Sequence, residues 1–151
     1  MKVYDAQVKF TLVREDLEPP ALFEPESVVA YLADAFAEFP DQEQIFVIML
    51  NGKNRPKGRI RVSLGTVGYT ACDPTMVFRP ALLAAASGVI IAHNHPSGDP
   101  APSSADLNFT RKIREAGAVL GIPLLDHVIA GTPQADPTGR GFYSFRLAGL
   151  V

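Results

Sequence analysis

Two short uncharged runs decide most of what this chain can fold into. Gln44–Leu50 and Gly88–Ala92 are of strand length, and Ile45–Leu50 is apolar at every position rather than at alternate ones. Successive side chains of a strand leave on opposite faces, so a continuous apolar run demands cover on both sides of its sheet. Helices are available to supply it. Glu26–Phe39 carries Val28, Val29, Leu32, Phe36 and Phe39 as an apolar stripe, with Pro25 suited to its first turn and Pro40-Asp41 as its stop. Asp73-Pro74 opens a second helix running toward Ala86, in which Pro80 must kink the helix or mark its true start. Ser103–Leu120 is the clearest helix. Phe109, Ile113, Ala116 and Leu120 face inward, Arg111, Lys112, Arg114 and Glu115 point out, and Gly121 ends it. Val3–Val13, Ile60–Tyr69, Leu124–Ala130 and Phe142–Leu147 read as further strands. This order predicts an α/β fold, a mixed β-sheet flanked by helices.

The 151 residues suit one core, and 47% hydrophobic against 20% charged residues is globular rather than disordered composition. A single cysteine, Cys72, excludes an intramolecular disulfide and a cysteine-cluster metal site. The apolar runs are too short to cross a bilayer and no signal peptide opens the chain, so the expectation is a cytoplasmic protein with no membrane partner. A formal net charge of −2 argues against polyanion binding by bulk electrostatics. The charge is uneven, however. Residues 1–43 hold ten acids and three bases, residues 44–72 five bases and no acid, and residues 73–151 six of each. The five bases alternate strictly as Lys53, Arg55, Lys57, Arg59 and Arg61, a spacing that puts them on one face of an extended segment. Gly52, Pro56 and Gly58 interrupt it and favour a twisted hairpin. The block reads either as a solvated edge that resists aggregation or as a nucleic-acid contact.

Chemistry concentrates between Val89 and Asp106. His93 and His95 stand two apart at the end of a buried strand, so both imidazoles leave the same face and can converge on one ion. Eleven residues beyond His95, Asp106 falls in the first turn of the next helix, after a Pro- and Gly-rich loop long enough to fold that turn back over the strand end. Two imidazoles and a carboxylate leave a fourth tetrahedral position open, as catalytic zinc requires. Each residue also has an ordinary reading. Ser103-x-x-Asp106 fits a capping box, and histidines beside apolar strands are usually satisfied core residues. His127 sits mid-strand with no second ligand near it in sequence and reads as structural or as a support to a ligand. Glu43, at the mouth of the Gln44–Leu50 strand, is positioned to serve as a proton acceptor, yet is also just the last of ten acids.

The string His93-Asn-His95-Pro-Ser-Gly-Asp-Pro-x-Pro-Ser103-x-x-Asp106 closely resembles the RadC-type branch of the MPN/JAB superfamily, with its JAMM signature of Glu … His-x-His-Pro-x(6)-Ser-x-x-Asp. Asn51-Gly-Lys53-Asn54-Arg55, Ser63-Leu-Gly65-Thr66 and Leu124-Leu125-Asp126-His127 also resemble RadC blocks, and the likeness runs from about Glu26 to Gly149. It implies a RadC-like MPN domain over residues 25–151, with residues 1–24 an N-terminal extension packed on it or leading into it. By the same resemblance His93, His95 and Asp106 match the ligands of one zinc ion, Ser103 the serine that supports an oxyanion, and Glu43 the general base. Asp99 in the loop is the next candidate base.

The function implied is zinc-dependent hydrolysis of a peptide or isopeptide bond, with a protein or peptide substrate. The alternative is a DNA-repair or nucleic-acid maintenance factor with a structural or vestigial zinc. RadC proteins commonly carry an N-terminal helix-hairpin-helix region, and residues 1–24 are too short and too acidic to be one.

Overall fold

The computed structural model describes residues 3, 9–12, 20–65 and 73–151. The expected strand at Val3–Val13 lies mostly outside these residues, as do the end of Ile60–Tyr69 and Cys72. Helix α1 (Pro25–Phe36) leads into strand β1 (Gln44–Leu50) and strand β2 (Pro56–Leu64). Helix α2 (Pro74–Leu83), strand β3 (Gly88–Asn94), helix α3 (Ser104–Leu120), strand β4 (Leu124–Ala130) and the short strand β5 (Phe142–Ser144) complete the order. The strands form one sheet in the order β2-β1-β3-β4-β5, antiparallel except for β3 beside β4. The parallel pair needs a crossover, and α3 supplies it.

Alternation along β1 sorts the core into two layers, the mixed sheet and two-sided helical cover that the uncharged runs predict. Ile45, Val47 and Met49 share one layer with Val89 and Ile91 of β3, under Val77, Phe78 and Ala81 of α2 and Phe109 and Ile113 of α3. Phe46, Ile48 and Leu50 face the other way with Ile90 and Ala92, under Val28, Leu32 and Ala35 of α1. Burying side chains of this size contributes about 1.5–3 kcal/mol each, before conformational entropy is set against it.

Several boundaries differ from expectation. Helix α1 ends three residues early, at Phe36, because the buried Gln44 side chain donates to the Phe36 and Phe39 carbonyls and so holds the chain after the helix. Pro80 lies inside α2 rather than at its start, with Asp73 accepting from the Thr75 and Met76 amides as N-cap and the helix stopping three residues later. Leu120 is exposed rather than inward. The buried stripe of α3 is Asp106, Phe109, Thr110, Ile113 and Gly117. Phe142–Leu147 is a strand only to Ser144, and beyond it a turn drops Phe145 into the core with no exposure.

The basic block is a hairpin, as its glycines and proline favour, but its bases do not share one face. Pairing passes from Met49↔Gly58 to Leu50↔Pro56, leaving Lys57 as an extra residue in a bulge. Lys57 Nζ consequently reaches the Ala84 and Ala85 carbonyls at the end of α2. Arg59 turns to α1 instead, with a two-pronged bond to Asp34 and its guanidinium over Tyr31. Arg61 pairs with Glu38 and lies over Phe39 and Phe46.

Candidate metal centre

Sheet register assembles the site. Ile45 faces His93 across the antiparallel β1–β3 pair, and continuing that register puts Glu43 beside His95. Asn94, between the two histidines, fastens this junction. Its Oδ1 accepts from the Gln44 amide at 2.8 Å and its Nδ2 donates to the Gln42 carbonyl at 3.0 Å. Beyond β3 the loop is pinned against the one after β4. The His95 amide donates to Ala130 O, and the Thr132 amide donates to Gly98 O at 2.7 Å. Gly131 makes this approach possible, since a Cβ there would stand 2.2 Å from Gly98 O.

Ser103 is the N-cap of α3 and closes a full capping box with Asp106. Its hydroxyl and amide both donate to Asp106 Oδ2, at 2.7 and 2.6 Å, while its Oγ accepts from the Asp106 amide at 3.1 Å. The cap does not compete with a ligand role. By engaging Oδ2 it fixes the carboxylate so that Oδ1 lies 3.3 Å from His93 Nε2 and Oδ2 lies 3.8 Å from His95 Nε2. His93 Nε2 and His95 Nε2 are 3.0 Å apart.

These spacings suit a cation. His95 Nδ1 lies 2.7 Å from the Asp99 carbonyl, which can only accept, so the proton of this imidazole is on Nδ1 and Nε2 presents a lone pair. On the other side, His93 Nδ1 is 2.8 Å from His127 Nε2. With a proton between those two atoms held by His93, both Nε2 lone pairs and a carboxylate face one another, an arrangement that a positive ion relieves. Two donors each about 2.0–2.1 Å from a tetrahedral zinc stand about 3.3 Å apart, in the middle of the separations found. His93, His95 and Asp106 offer ligand atoms all within 4.8 Å of one another, so this cluster can hold a metal ion.

Burial keeps the inner part of the site neutral. His93 and His127 have no solvent exposure, and desolvation is the main force pushing both imidazoles toward the uncharged form, His93 well down and His127 to about 3. Glu43 is half-buried. Desolvation raises its pKa most, the neighbouring His95 lowers it, and the Asp106 carboxylate raises it, which places Glu43 within electrostatic reach of two of the three donors. Asp99 is exposed and its carboxylate accepts from the Ala101 amide, while its carbonyl serves His95.

The sequence reading missed Thr110 and Phe145. Thr110 lies four residues after Asp106 on the buried stripe of α3 and bonds both the Asp106 carbonyl and His127. A polar residue on an apolar helical stripe was the available signal. Phe145 stacks on His127 with centroids 4.6 Å apart and planes within 10°. Nothing in its local pattern marked it. Asp126 beside His127 is a fastening for the chain end, accepting from Ser144 Oγ, the His127 amide and the Arg146 amide.

Among the described residues no helix is long and apolar enough to cross a membrane. Comparison with known proteins gives a consistent result. The family described as the RadC-like JAB domain matches residues 22–150. A UPF0758 protein of Geobacter sulfurreducens is 44% identical over 127 residues, covering 84% of this chain and 52% of the relative. One from Carboxydothermus hydrogenoformans is 45% identical over 107 residues, covering 71% of this chain and 47% of the relative. One from Symbiobacterium thermophilum is 42% identical over 130 residues, covering 86% and 52%. The chain thus spans about half the length of the curated relatives it matches. With the matched family spanning nearly the whole described fold and the His-x-His and Asp donors gathered at its strand end, the chain belongs to the RadC-like JAB domain family.

Proposed function

We propose that this domain is a zinc-dependent hydrolase of amide bonds, with His93, His95 and Asp106 as the ligands of one zinc ion and a peptide or isopeptide as substrate. The observation that carries the reading is the convergence of two imidazole Nε2 atoms and a capped carboxylate within 3.0–3.8 Å, on elements that leave one side of the cluster uncovered by a fourth protein ligand among the described residues. A zinc ion so held supplies Lewis acidity and brings the pKa of water down to about 7. Glu43, set beside His95 by the continued β1–β3 register, removes the proton of the attacking water and delivers it to the leaving amine. Ser103 contributes to the oxyanion by turning its hydroxyl from Asp106 Oδ2, which its own amide continues to hold.

The basic block supports a nucleic-acid role less than its sequence spacing suggests, since Lys57, Arg59 and Arg61 are committed to α2 and α1. The test is metal analysis of the purified chain together with turnover on a panel of peptide and isopeptide substrates. About one zinc per chain with hydrolysis that chelation abolishes supports the reading. Full zinc occupancy in a His93→Ala, His95→Ala double variant would place the metal elsewhere.

A further inference from the structure

We propose that Thr110 and His127 are positioning residues that set which nitrogen of His93 meets the metal, through a hydrogen-bond circuit that starts and ends on Asp106. This inference rests on the metal reading above. The circuit begins at the Asp106 carbonyl, which accepts from the Thr110 hydroxyl at 2.7 Å. Thr110 Oγ1 lies 2.6 Å from His127 Nδ1, His127 Nε2 lies 2.8 Å from His93 Nδ1, and His93 Nε2 reaches the Asp106 carboxylate at 3.3 Å.

Counting protons gives the circuit its direction. A hydroxyl has one proton and a carbonyl has none, so with the Thr110 proton on Asp106 O, the proton between Thr110 and His127 must come from His127 Nδ1. A neutral His127 then has only a lone pair at Nε2, and the proton between the two imidazoles must come from His93 Nδ1. What remains at His93 Nε2 is a lone pair directed at the cluster. The reverse direction would leave Thr110 Oγ1 and the Asp106 carbonyl as two acceptors in contact at 2.7 Å. Asp106 therefore acts twice, with its carboxylate as a ligand and with its peptide carbonyl as the anchor that orients another ligand.

The surroundings protect this arrangement. His127 is fully buried, stacked on Phe145 on one side and met edge-on by Phe109 at 6.0 Å. Metal-bound histidines more often donate their second N–H to a carboxylate, a backbone carbonyl or water. Here the acceptor is a neutral ring, which fixes the orientation without adding negative charge next to the metal.

The experiment uses the full chain loaded with zinc. Long-range proton–nitrogen NMR spectra of the imidazoles report which nitrogen of His127 is protonated, and competition with a chromophoric chelator gives the zinc affinity. The expected result is a His127 proton on Nδ1, with zinc affinity falling by about 10–100-fold in His127→Phe, a substitution that keeps an aromatic ring on Phe145. Thr110→Val should lose affinity in the same direction, and Thr110→Ser, which restores the hydroxyl, should recover it. A His127 proton on Nε2, or parental affinity in a folded Thr110→Val variant, would overturn the circuit even if His127→Phe fails to fold. A parent chain that binds no zinc would overturn the metal reading and this inference with it, whereas zinc binding that ignores both substitutions would overturn this inference alone.

Discussion

Gly131→Ala separates the geometry of the site from the identity of its ligands, because it touches none of them. The added Cβ would stand 2.2 Å from Gly98 O and 2.9 Å from Pro100 Cδ. Contacts under 3.0 Å are essentially not found for real Cβ atoms, so the Gly98 carbonyl must recede by about 0.8 Å, and as a backbone atom it cannot do so by rotating a side chain. The Thr132 amide bond to Gly98 O, now 2.7 Å, would stretch to the edge of hydrogen-bond range. Asp99 lies between the two displaced residues, and its carbonyl holds His95 Nδ1 at 2.7 Å. The clash is therefore transmitted to the orientation of His95. Overpacking of this kind costs about 1–3 kcal/mol of stability. Losing the orientation of one ligand costs about 10–100-fold in metal affinity. The assay is zinc competition with a chelator alongside urea unfolding, with Gly139→Ala as the control. Gly139 has φ +73° but open space around its Cβ position, so alanine there should cost about 1–2 kcal/mol of backbone strain and leave affinity unchanged. Parental zinc affinity in folded Gly131→Ala would show that the packing of these two loops does not orient His95.

Glu43→Gln should leave zinc bound while turnover on any amide substrate falls by about 10²–10⁴-fold, the contribution of a positioned proton-transfer group; loss of zinc together with activity would instead make Glu43 a ligand or its support. Chelation should leave the chain folded, because the two apolar layers around β1 and β3 are complete without an ion, and a circular-dichroism melt with and without chelator checks this. In the metal-free chain His127 has its pKa lowered to about 3 by burial and then by the charge of His95, against about 6.5 when unfolded, so its contribution is full above pH 6.5 and is lost as pH falls toward 3. By pH 5 that loss is about 2 kcal/mol, with buried His93 acting in the same direction, and urea midpoints measured at pH 8 and pH 5 that coincide would refute it. Replacing Arg59 and Arg61 with serine should not change DNA affinity, since both already serve α1; a fall in affinity with a reduced salt slope would return the block to nucleic-acid contact.

What the sequence disclosed and what it withheld divide along the reach of the interactions. Strands β1 and β4 match their expected bounds at both ends, and α3 begins at the expected cap, because an apolar run and a capping box are complete within a few residues. Spacing alone left Asp106 suspended between cap and ligand. In the structure Oδ2 is engaged in the box while Oδ1 lies toward His93, so the cap leaves a ligand role open rather than excluding it. Glu43 is raised by its place at a strand mouth but promoted only by resemblance, since what sets it beside His95 is the pairing of Ile45 with His93, 48 positions along the chain. In the basic block the hairpin was legible and the direction of its side chains was not. Its strict alternation was real, but whether it faces solvent depends on a one-residue bulge at Lys57 and on Asp34 of α1 and Glu38 just beyond it, more than twenty positions earlier. Alternation predicts a shared face only while the ladder keeps its register, and a single extra residue sends the rest of the strand to the other side. In this family member the same physics that hid the fate of the arginines also built the site. Pairings between distant segments bring together groups that no local window contains, and the imidazole of His127, ordinary in its own strand, acquires a role only once β3 lies beside β4 and α3 crosses over both.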